Sequence, residues 1–306
     1  MKKLIAIVGP TGIGKSRLAL HLARIFPGEI VSADSRQVYR YLDIGTAKPS
    51  PEEMSLVPHH LVDIIDPSEN FSLALFQEMA GRALADIWDC GRVPFLVGGS
   101  GLYVRAVLEN WQIPKVSPDP EFRNNLERMA DSAGTGVLYR QLEEIDPAAA
   151  RRMDPQNLRR IIRALEVHGR TKRQFSRLVA KKPPGFASLT IGLTAERPSL
   201  YRIVDDRIDD MFARGLVAEV EKLLEMGYHL SLPAMSGIGY RQVGQYLQGE
   251  ISLDDAKRKM KTETHRFIRH QYAWFRLNDT GIHWFDVKDD IQPEIENIVR
   301  DFLGNH

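Results

Sequence analysis

Residues 4–16 read LIAIVGPTGIGKS, an apolar run of five residues followed by a glycine-rich loop that ends in Lys15 and Ser16. The apolar run predicts a short buried strand, and residues 15–26 have the apolar spacing of a helix. The loop matches the pattern G-x-x-x-x-G-K-[ST] in the strand-to-helix context that this pattern requires. Inward-pointing backbone N–H groups, the positive end of the helix and the charge of Lys15 suit a di- or triphosphate, and the Ser16 hydroxyl suits Mg²⁺. The loop predicts a phosphate site without identifying the molecule that carries the phosphate.

Strands and helices continue to alternate beyond the loop, with further strands expected at 29–34, 59–66, 93–101, 189–194 and 282–287. This alternation indicates a parallel sheet covered by helices on both faces. Between residues 110 and 187 helical patterns and charge replace the strands. The predicted fold class is α/β, a P-loop NTPase-like parallel sheet flanked by helices, with a helical insertion domain. Residues 1–110 and 188–306 would form the α/β core that carries the phosphate loop, and residues 111–187 would form the helical insertion.

The composition restricts the environment of the protein. The 306 residues are 43% hydrophobic and 26% charged, which is ordinary for a globular protein. No apolar run reaches the roughly 18–20 residues that a membrane span needs, so no membrane contact is expected. The single cysteine, Cys90, excludes an internal disulfide and a cysteine-rich zinc site, and this usage predicts the reducing cytoplasm.

Positive charge is concentrated in one part of the chain, although the net charge is only +1. Residues 151–182 contain eleven Lys or Arg residues and only two acidic residues, Asp154 and Glu166. A solvated surface usually mixes both signs of charge, so this block indicates a polyanionic partner. Arginine and aromatic residues also alternate in 255–276, which suits phosphates and unstacked bases, although the aromatic residues there are equally consistent with a core.

Two further segments follow predicted strands at the edge where open α/β sheets bind ligands. Asp34 follows the second strand and could accept a proton from a nucleophile, bind Mg²⁺ through water, or cap the next turn. The segment GGSGLY (98–103) follows another strand, where Gly98 and Gly99 permit a close backbone approach and Ser100 can donate a hydrogen bond. The sequence has no other apolar strand that ends in a lone Asp and no NKxD guanine motif, which disfavours motor proteins and GTPases and leaves a kinase possible.

Six segments together resemble one family, the tRNA dimethylallyltransferases, also called tRNA isopentenyltransferases. They are GPTGIGKS, SADSRQVYRYLDIGTAKPS, HHLVDIIDP, GGSGLY, DPQNLRRIIRALEV and SGIGYRQ, and they span nearly the whole chain. The resemblance implies transfer of a dimethylallyl group from dimethylallyl diphosphate to N6 of adenosine 37 of tRNA, with Mg²⁺ as cofactor. It further implies the anticodon stem-loop as the partner, and a cytoplasmic monomer is expected.

The resemblance also implies roles for individual residues. Asp34 would be the general base, and Arg207 and Lys15 would stabilise the departing diphosphate, with Mg²⁺ at Ser16. The diphosphate would be bound by Gly9, Pro10, Thr11, Gly12, Ile13, Gly14, Lys15 and Ser16. The tRNA would be contacted by Asp34, Ser35, Arg36, Gln37, Ser100, Arg123, Gln156, Asn157, Leu158, Arg159, Arg160, Arg241, Arg269 and Arg276. The last three belong to the matching segments 236–241 and 269–276.

Small departures from the family pattern keep the essential chemistry. Gly12-Ile13 replaces a common Ala-Ser pair, Ser16 replaces Thr, and Ser100 replaces Thr, so only Ile13 loses a hydroxyl.

Three other functions share parts of the pattern: an adenylate isopentenyltransferase acting on free AMP, a P-loop small-molecule kinase, and a non-catalytic RNA-binding module. An AMP-specific enzyme would not need the basic insertion.

Overall fold

The computed structural model describes residues 1–114, 116–178 and 180–304. Within these residues the chain forms β1 (Lys3–Val8), β2 (Gly28–Ser32), β3 (His59–His60), β4 (Val93–Gly98), β5 (Trp111–Gln112), β6 (Ala180–Lys181), β7 (Ala187–Thr194) and β8 (His283–Asp286). Six of them make one sheet in the order β3-β2-β4-β1-β7-β8, and every neighbouring pair is parallel. The predicted parallel sheet is therefore confirmed, with β1 and its loop near the centre.

Most of the helices are longer than the strands. They are α1 (Lys15–Ile25), α2 (Pro51–Leu56), α3 (Leu73–Asp89), α4 (Gly101–Leu108), α5 (Pro120–Ala133), α6 (Thr135–Ile145), α7 (Pro147–Ala150), α8 (Leu158–Thr171), α9 (Phe175–Leu178), α10 (Arg197–Ala213), α11 (Leu216–Glu225), α12 (Tyr240–Leu247), α13 (Leu253–Trp274) and α14 (Gln292–Leu303). One turn of 3₁₀-helix, Ala234–Ser236, precedes α12.

Helices cover both faces of the sheet, as the strand composition predicts. Ile5 and Ile7 of β1 belong to a buried cluster with residues of α1, α10, α13 and α14. Leu4, Ala6 and Val8 of the same strand belong to a second cluster with residues of α3 and α4. Successive side chains of a strand point to opposite faces, so a strand buried on both sides reads as an uninterrupted apolar run.

The chain divides into two compact units, one of residues 1–108 and 184–306, the other of residues 109–183. The boundaries lie within four residues of the predicted ones. The second unit has its own core, in which Leu126, Leu138, Leu142, Ile161 and Leu165 are at least nine-tenths buried. It also contains a short antiparallel ribbon, β5 with β6, which the sequence analysis missed because two-residue strands leave no periodic pattern.

Several predicted boundaries differ from the structure, and three of the differences have a clear local cause or lie next to the site. The strand expected at 59–66 ends at His60, because Leu61 and Asp63 have φ values of 62° and 55° that interrupt an extended chain. The strand expected to reach Asp34 ends at Ser32. The apolar spacing of DPQNLRRIIRALEV (154–167) predicts a helix from residue 154, but the helix begins at Leu158, because the Asn157 side chain caps it by accepting a hydrogen bond from the N–H of Arg160 at 3.2 Å.

Candidate active site

The glycine loop between β1 and α1 packs directly against α10. Gly12 has a φ of 80°, and a Cβ atom added there would lie 2.7 Å from Cγ1 of Val204. Only glycine combines that backbone conformation with that close approach. The loop is therefore held against the helix that carries Arg207.

Lys15 occupies the end of this loop and is half-buried. Its ammonium group donates a hydrogen bond to the carbonyl oxygen of Pro10 at 2.7 Å. Burial, followed by the nearby charge of Arg207, lowers the pKa of Lys15 to about 7, while Asp34 acts in the opposite direction. An anion placed beside Lys15 and Arg207 would remove much of this electrostatic strain, so these two groups favour a negatively charged ligand.

The lowered pKa of Lys15 predicts that pyrophosphate binding weakens as the pH rises above about 7. Below that pH the free protein already carries the lysine proton, whereas above it binding must take up a proton. Affinity should then fall by up to ~10-fold per pH unit. Calorimetric titration between pH 6 and 9 measures this slope. Lys15→Arg remains protonated throughout and reports the titration of pyrophosphate itself, so parallel profiles for the two proteins would refute the prediction.

Asp34 lies two residues beyond the end of β2 and lines a cavity of about 290 Å³. Its Oδ1 atom accepts hydrogen bonds from the backbone N–H groups of Arg36 at 2.8 Å and Gln37 at 3.3 Å. Among the described residues, Oδ2 accepts no hydrogen bond. The carboxylate therefore caps the following turn with one oxygen, as one of the sequence-based interpretations proposed, and keeps the other for a ligand.

Arg207 lines the same cavity from α10. Within the described part of the chain its guanidinium forms no hydrogen bond and no ion pair. Burial lowers its pKa, although the charge of Asp34 partly opposes this effect. A half-buried cation without a bound carboxylate is costly unless a ligand supplies the missing charge. Thr11 and Ser100 complete this polar end of the cavity.

The other part of the cavity wall is apolar, and the sequence analysis did not identify it. It consists of side chains from the later helices, namely Val204, Ile208, Met211, Met260 and Phe267. They lie on α10 and α13 at helical spacing, a pattern that is indistinguishable in sequence from core-facing residues. The cavity thus combines anion-binding groups with an apolar lining, which suits a small phosphorylated molecule with a hydrocarbon part.

The residues after Asp34 have different surroundings. Ser35 and Arg36 line the cavity, and the Arg36 guanidinium donates to the carbonyl of Pro233 at 2.5 Å and to Oγ of Ser236 at 3.1 Å. Gln37 does not line it. Its side-chain amide accepts from Oγ of Ser32 at 2.9 Å and donates to the carbonyls of Thr46 at 3.3 Å and Ala47 at 3.1 Å. These bonds tie Gln37 to the loop after residue 42.

A half-buried carboxylate fixes that loop, and the sequence analysis missed it. Glu219 on α11 accepts hydrogen bonds from the N–H groups of Ile44 at 2.7 Å and Gly45 at 3.2 Å, and from the Tyr240 hydroxyl at 2.6 Å. The Tyr240 ring fills the space beside Gly45, where an added Cβ would lie 2.6 Å away. No sequence pattern predicts contacts between residues so far apart. The glycine in DIGT, Gly45, is the only local signal of a close contact there.

The remaining predicted contacts of the first unit are exposed on its surface, except that Ser100 lines the cavity. Arg241 on α12 forms an ion pair with Glu263. Arg269 on α13 donates to the Tyr201 hydroxyl at 3.1 Å, and Arg276 follows the end of that helix. All three guanidinium groups remain accessible, and their contacts with tRNA stay predictions.

The second unit exposes the predicted residues Gln156, Asn157, Arg159 and Arg160, whereas Leu158 is half-buried at the edge of the unit's core. Arg123 has a structural partner. Its guanidinium donates to both carboxylate oxygens of Glu166, at 2.7 and 2.8 Å, and Arg163 donates to the same carboxylate at 2.6 Å. Glu166 is only 1% exposed, so it holds two arginines in place from the interior of the unit.

Glu166 should make the second unit sensitive to acid. Burial opposes its ionisation, but Arg123, the N–H of Asp119 and Arg163 together hold the pKa of Glu166 at about 2. A depressed pKa gives stability that is present above the unfolded value of 4.5 and is lost as the pH falls toward 2. Glu166→Gln should cost about 3 kcal/mol at pH 7, since it leaves two arginines without their carboxylate.

Circular dichroism during urea unfolding of the full chain, at pH 7 and at pH 3, measures this effect. The difference between wild type and Glu166→Gln should shrink at the lower pH. Glu143→Gln, an exposed change in the same unit, is the matched control and should leave both curves unchanged. The same wild-type-to-variant difference in stability at both pH values would contradict the proposal that an ionised Glu166 holds the two arginines.

In the residues for which the structure gives positions, no helix is long and apolar enough to span a membrane. Within those same residues, no group of three or more His, Cys, Asp or Glu side chains could together hold a metal ion. Ser16, the second residue of α1, is exposed and carries a side-chain hydroxyl. A hydroxyl is a hard oxygen ligand that fits Mg²⁺ when phosphate oxygens and water supply the other positions.

Comparisons with known proteins match both units of the chain. The family model described as IPP transferase matches residues 37–278, and the model described as Isopentenyl transferase matches residues 2–62. The tRNA dimethylallyltransferase of Roseiflexus sp. (strain RS-1) is 52% identical over 303 residues, which are 99% of each chain. The structure of the full-length tRNA isopentenylpyrophosphate transferase of Bacillus halodurans has a TM-score of 0.74 at 40% identity, covering 99% of this chain and 97% of that one. A eukaryotic dimethylallyltransferase acting on tRNA has a TM-score of 0.83 at 27% identity, covering 100% of this chain and 80% of that one.

Proposed function

This chain belongs to the IPP transferase family, and from that membership we propose how its cavity transfers a dimethylallyl group from dimethylallyl diphosphate to N6 of adenosine 37 of tRNA. The observation that carries the proposal is that Asp34 and Arg207 line one cavity with Thr11 of the phosphate loop, and that among the described residues Arg207 has no ion-pair partner. The apolar lining from α10 and α13 would receive the hydrocarbon part of the donor. The polar end would receive its diphosphate.

The diphosphate is the leaving group, so the residues around it act on the barrier to ionisation. Loop N–H groups, Lys15 and Arg207 would stabilise the charge that develops as the bond between C1 and oxygen breaks. Preorganised donors of this kind typically contribute ~3 kcal/mol each in the transition state. Mg²⁺ at the Ser16 hydroxyl would neutralise part of the charge on the diphosphate oxygens.

Asp34 would act on the acceptor. The N6 amine of adenine is a poor nucleophile until its proton can leave, and the free Oδ2 atom would accept that proton as N6 bonds to C1. The bonding electron pair of the donor departs with the diphosphate, so charge and atoms balance. Oδ1 remains bound to the turn, which fixes the carboxylate without using its basic oxygen.

The acceptor must leave its base stack to reach a cavity of this kind. Extrusion from a single-stranded anticodon loop costs a few kcal/mol or less. The base would then close the cavity against water, which would otherwise capture an allylic cation.

We propose that the second unit binds the anticodon stem through Arg159 and Arg160. We also propose that the protein acts as a monomer and that its tRNA substrate places it in the cytoplasm.

Labelled dimethylallyl diphosphate, incubated with Mg²⁺ and with unmodified tRNA or AMP in parallel, tests the function. Label in the tRNA is the expected result. Preferred labelling of AMP would instead indicate an adenylate isopentenyltransferase, and phosphate transfer from ATP without prenyl transfer would indicate a kinase. Absence of label from both acceptors would overturn the proposal.

Neutralising Arg159 and Arg160 together should weaken tRNA binding and flatten its salt dependence. Each phosphate that the protein no longer neutralises reduces the slope of log K against log salt by roughly 0.7–0.9, so the double Gln variant should lose about 1.4–1.8. Filter binding between 50 and 300 mM KCl measures the slope. Arg140→Gln, an exposed charge on α6 of the same unit, is the control, and an equal loss with it would show a general charge effect.

A further inference from the structure

Gln271 is a buried residue that the proposed chemistry does not use. It lies on α13 within the segment 269–276, yet it is only 4% exposed and so faces the protein interior. Its Oε1 atom accepts a hydrogen bond from the N–H of Thr11 at 2.9 Å, and its Nε2 atom donates to the carbonyl of Gly99 at 3.1 Å. One amide therefore joins the phosphate loop to the loop after β4.

The orientation of this amide is fixed by its two partners. A rotation of the amide by 180° would place its NH₂ group against the Thr11 N–H and its oxygen against the Gly99 carbonyl, so neither bond could form. The Thr11 N–H is directed at Gln271, so we expect the phosphate to be bound by the later N–H groups of the loop.

The glycines of GGSG fit this arrangement. A Cβ atom added at Gly99 would lie 2.0 Å from Nε2 of Gln271, and one added at Gly101 would lie 2.3 Å from Cβ of Trp274. The last turns of α13 occupy the space that those side chains would fill. Of the two close approaches expected from the sequence, the one at Gly99 is therefore to α13, whereas a Cβ atom added at Gly98 would lie 2.3 Å from the carbonyl oxygen of Ala33.

The two loops that Gln271 joins form part of the cavity wall, since Thr11 and Ser100 both line it. Thr11 belongs to the donor side and Ser100 to the side predicted to meet tRNA. We propose that Gln271 is a positioning residue that fixes the donor loop relative to the acceptor wall, a role that rests on the proposed function. Without it, the Thr11 N–H and the Gly99 carbonyl would lack their shared partner and the loops would move independently.

A double-mutant cycle on Gln271 and Gly99 tests this role. Gln271→Ala removes both hydrogen bonds, and Gly99→Ala displaces the same amide, so each should lower kcat/KM for the donor about tenfold. The double variant should lose about tenfold, because both changes destroy one shared interaction and the shorter side chain removes the 2.0 Å contact of the new methyl group, leaving only a 3.1 Å contact with the carbonyl oxygen of Gly9. A hundredfold loss would mean two independent effects and would overturn the proposal.

Two binding measurements separate positioning from a loss of fold. Pyrophosphate affinity, measured by calorimetry without any transfer reaction, should fall in Gln271→Ala, while tRNA affinity stays within a factor of two. Gln77→Met, which removes a 2.8 Å bond to the Ala106 carbonyl between α3 and α4, is the control and should change neither affinity. Equal losses in both affinities would refute the role, whereas failure of the wild type to label tRNA would refute the proposed function alone.

Discussion

Asp34→Asn should reduce prenyl transfer to tRNA by roughly 10²–10⁴-fold, the usual contribution of a positioned general base. The amide oxygen can still accept the hydrogen bonds from the N–H groups of Arg36 and Gln37, so the turn should keep its conformation. The amide cannot accept the N6 proton at Oδ2. Single-turnover assays with labelled donor, saturating enzyme and unmodified tRNA would measure the loss in the chemical step.

The binding controls for this variant depend on the charges around the cavity. Asp34 raises the pKa of Lys15, so its removal should lower that pKa further and weaken pyrophosphate binding modestly near pH 8. At pH 6, where Lys15 stays protonated, pyrophosphate affinity should be close to that of wild type. A rate within threefold of wild type would show that another group accepts the proton. A large loss of tRNA affinity alone would make Asp34 a binding residue.

The parts of the fold that could be predicted are those with a local pattern. β1 and the loop after it combine a two-sided apolar strand with a fixed spacing of glycines and Lys15, and the sheet follows from repetition of the strand–helix unit. The length of β3 was overestimated, and the ribbon of β5 with β6 was missed. A strand of two residues is too short to show alternating polar and apolar positions. The positive φ values at Leu61 and Asp63 could not be predicted either, because neither position has the glycine that usually indicates such a conformation.

The candidate site could also be predicted only in part. Residue type and position predicted that Lys15 and Asp34 were suited to charge and proton chemistry, the family resemblance implied Arg207, and the structure brings Asp34 and Arg207 to one cavity. The sequence could not predict which polar side chains already form hydrogen bonds or ion pairs within the protein. Gln37 is bound to neighbouring loops, and Arg123 is bound to Glu166, because a single sequence contains no record of partners. Thr11 and Gln271 are separated by 260 positions and still share a hydrogen bond.

Arg207→Gln should lower kcat for transfer by about 10²–10³-fold, since a preorganised donor at the developing charge is typically worth ~3–4 kcal/mol. The effect should fall on kcat more than on tRNA affinity, because Arg207 would meet the diphosphate when the bond to C1 breaks. Arg207→Lys retains the charge but loses the planar fork of donors, so an intermediate loss is expected. Arg202→Gln, an exposed change on the same helix, is the matched control and should leave kcat unchanged.

A second consequence of Arg207→Gln separates a role at the diphosphate from simple damage to α10. Arg207 is one of the two causes that lower the pKa of Lys15 to about 7, so its removal should raise that pKa toward the ordinary value. The weakening of pyrophosphate binding above pH 7 should therefore begin at a higher pH in Arg207→Gln than in wild type, even though the affinity at pH 6 is lower. Arg202→Gln should keep the wild-type profile. An unshifted profile with a wild-type kcat would place Arg207 outside the anion site, and the leaving-group charge would then have to be carried by the loop and Lys15 alone.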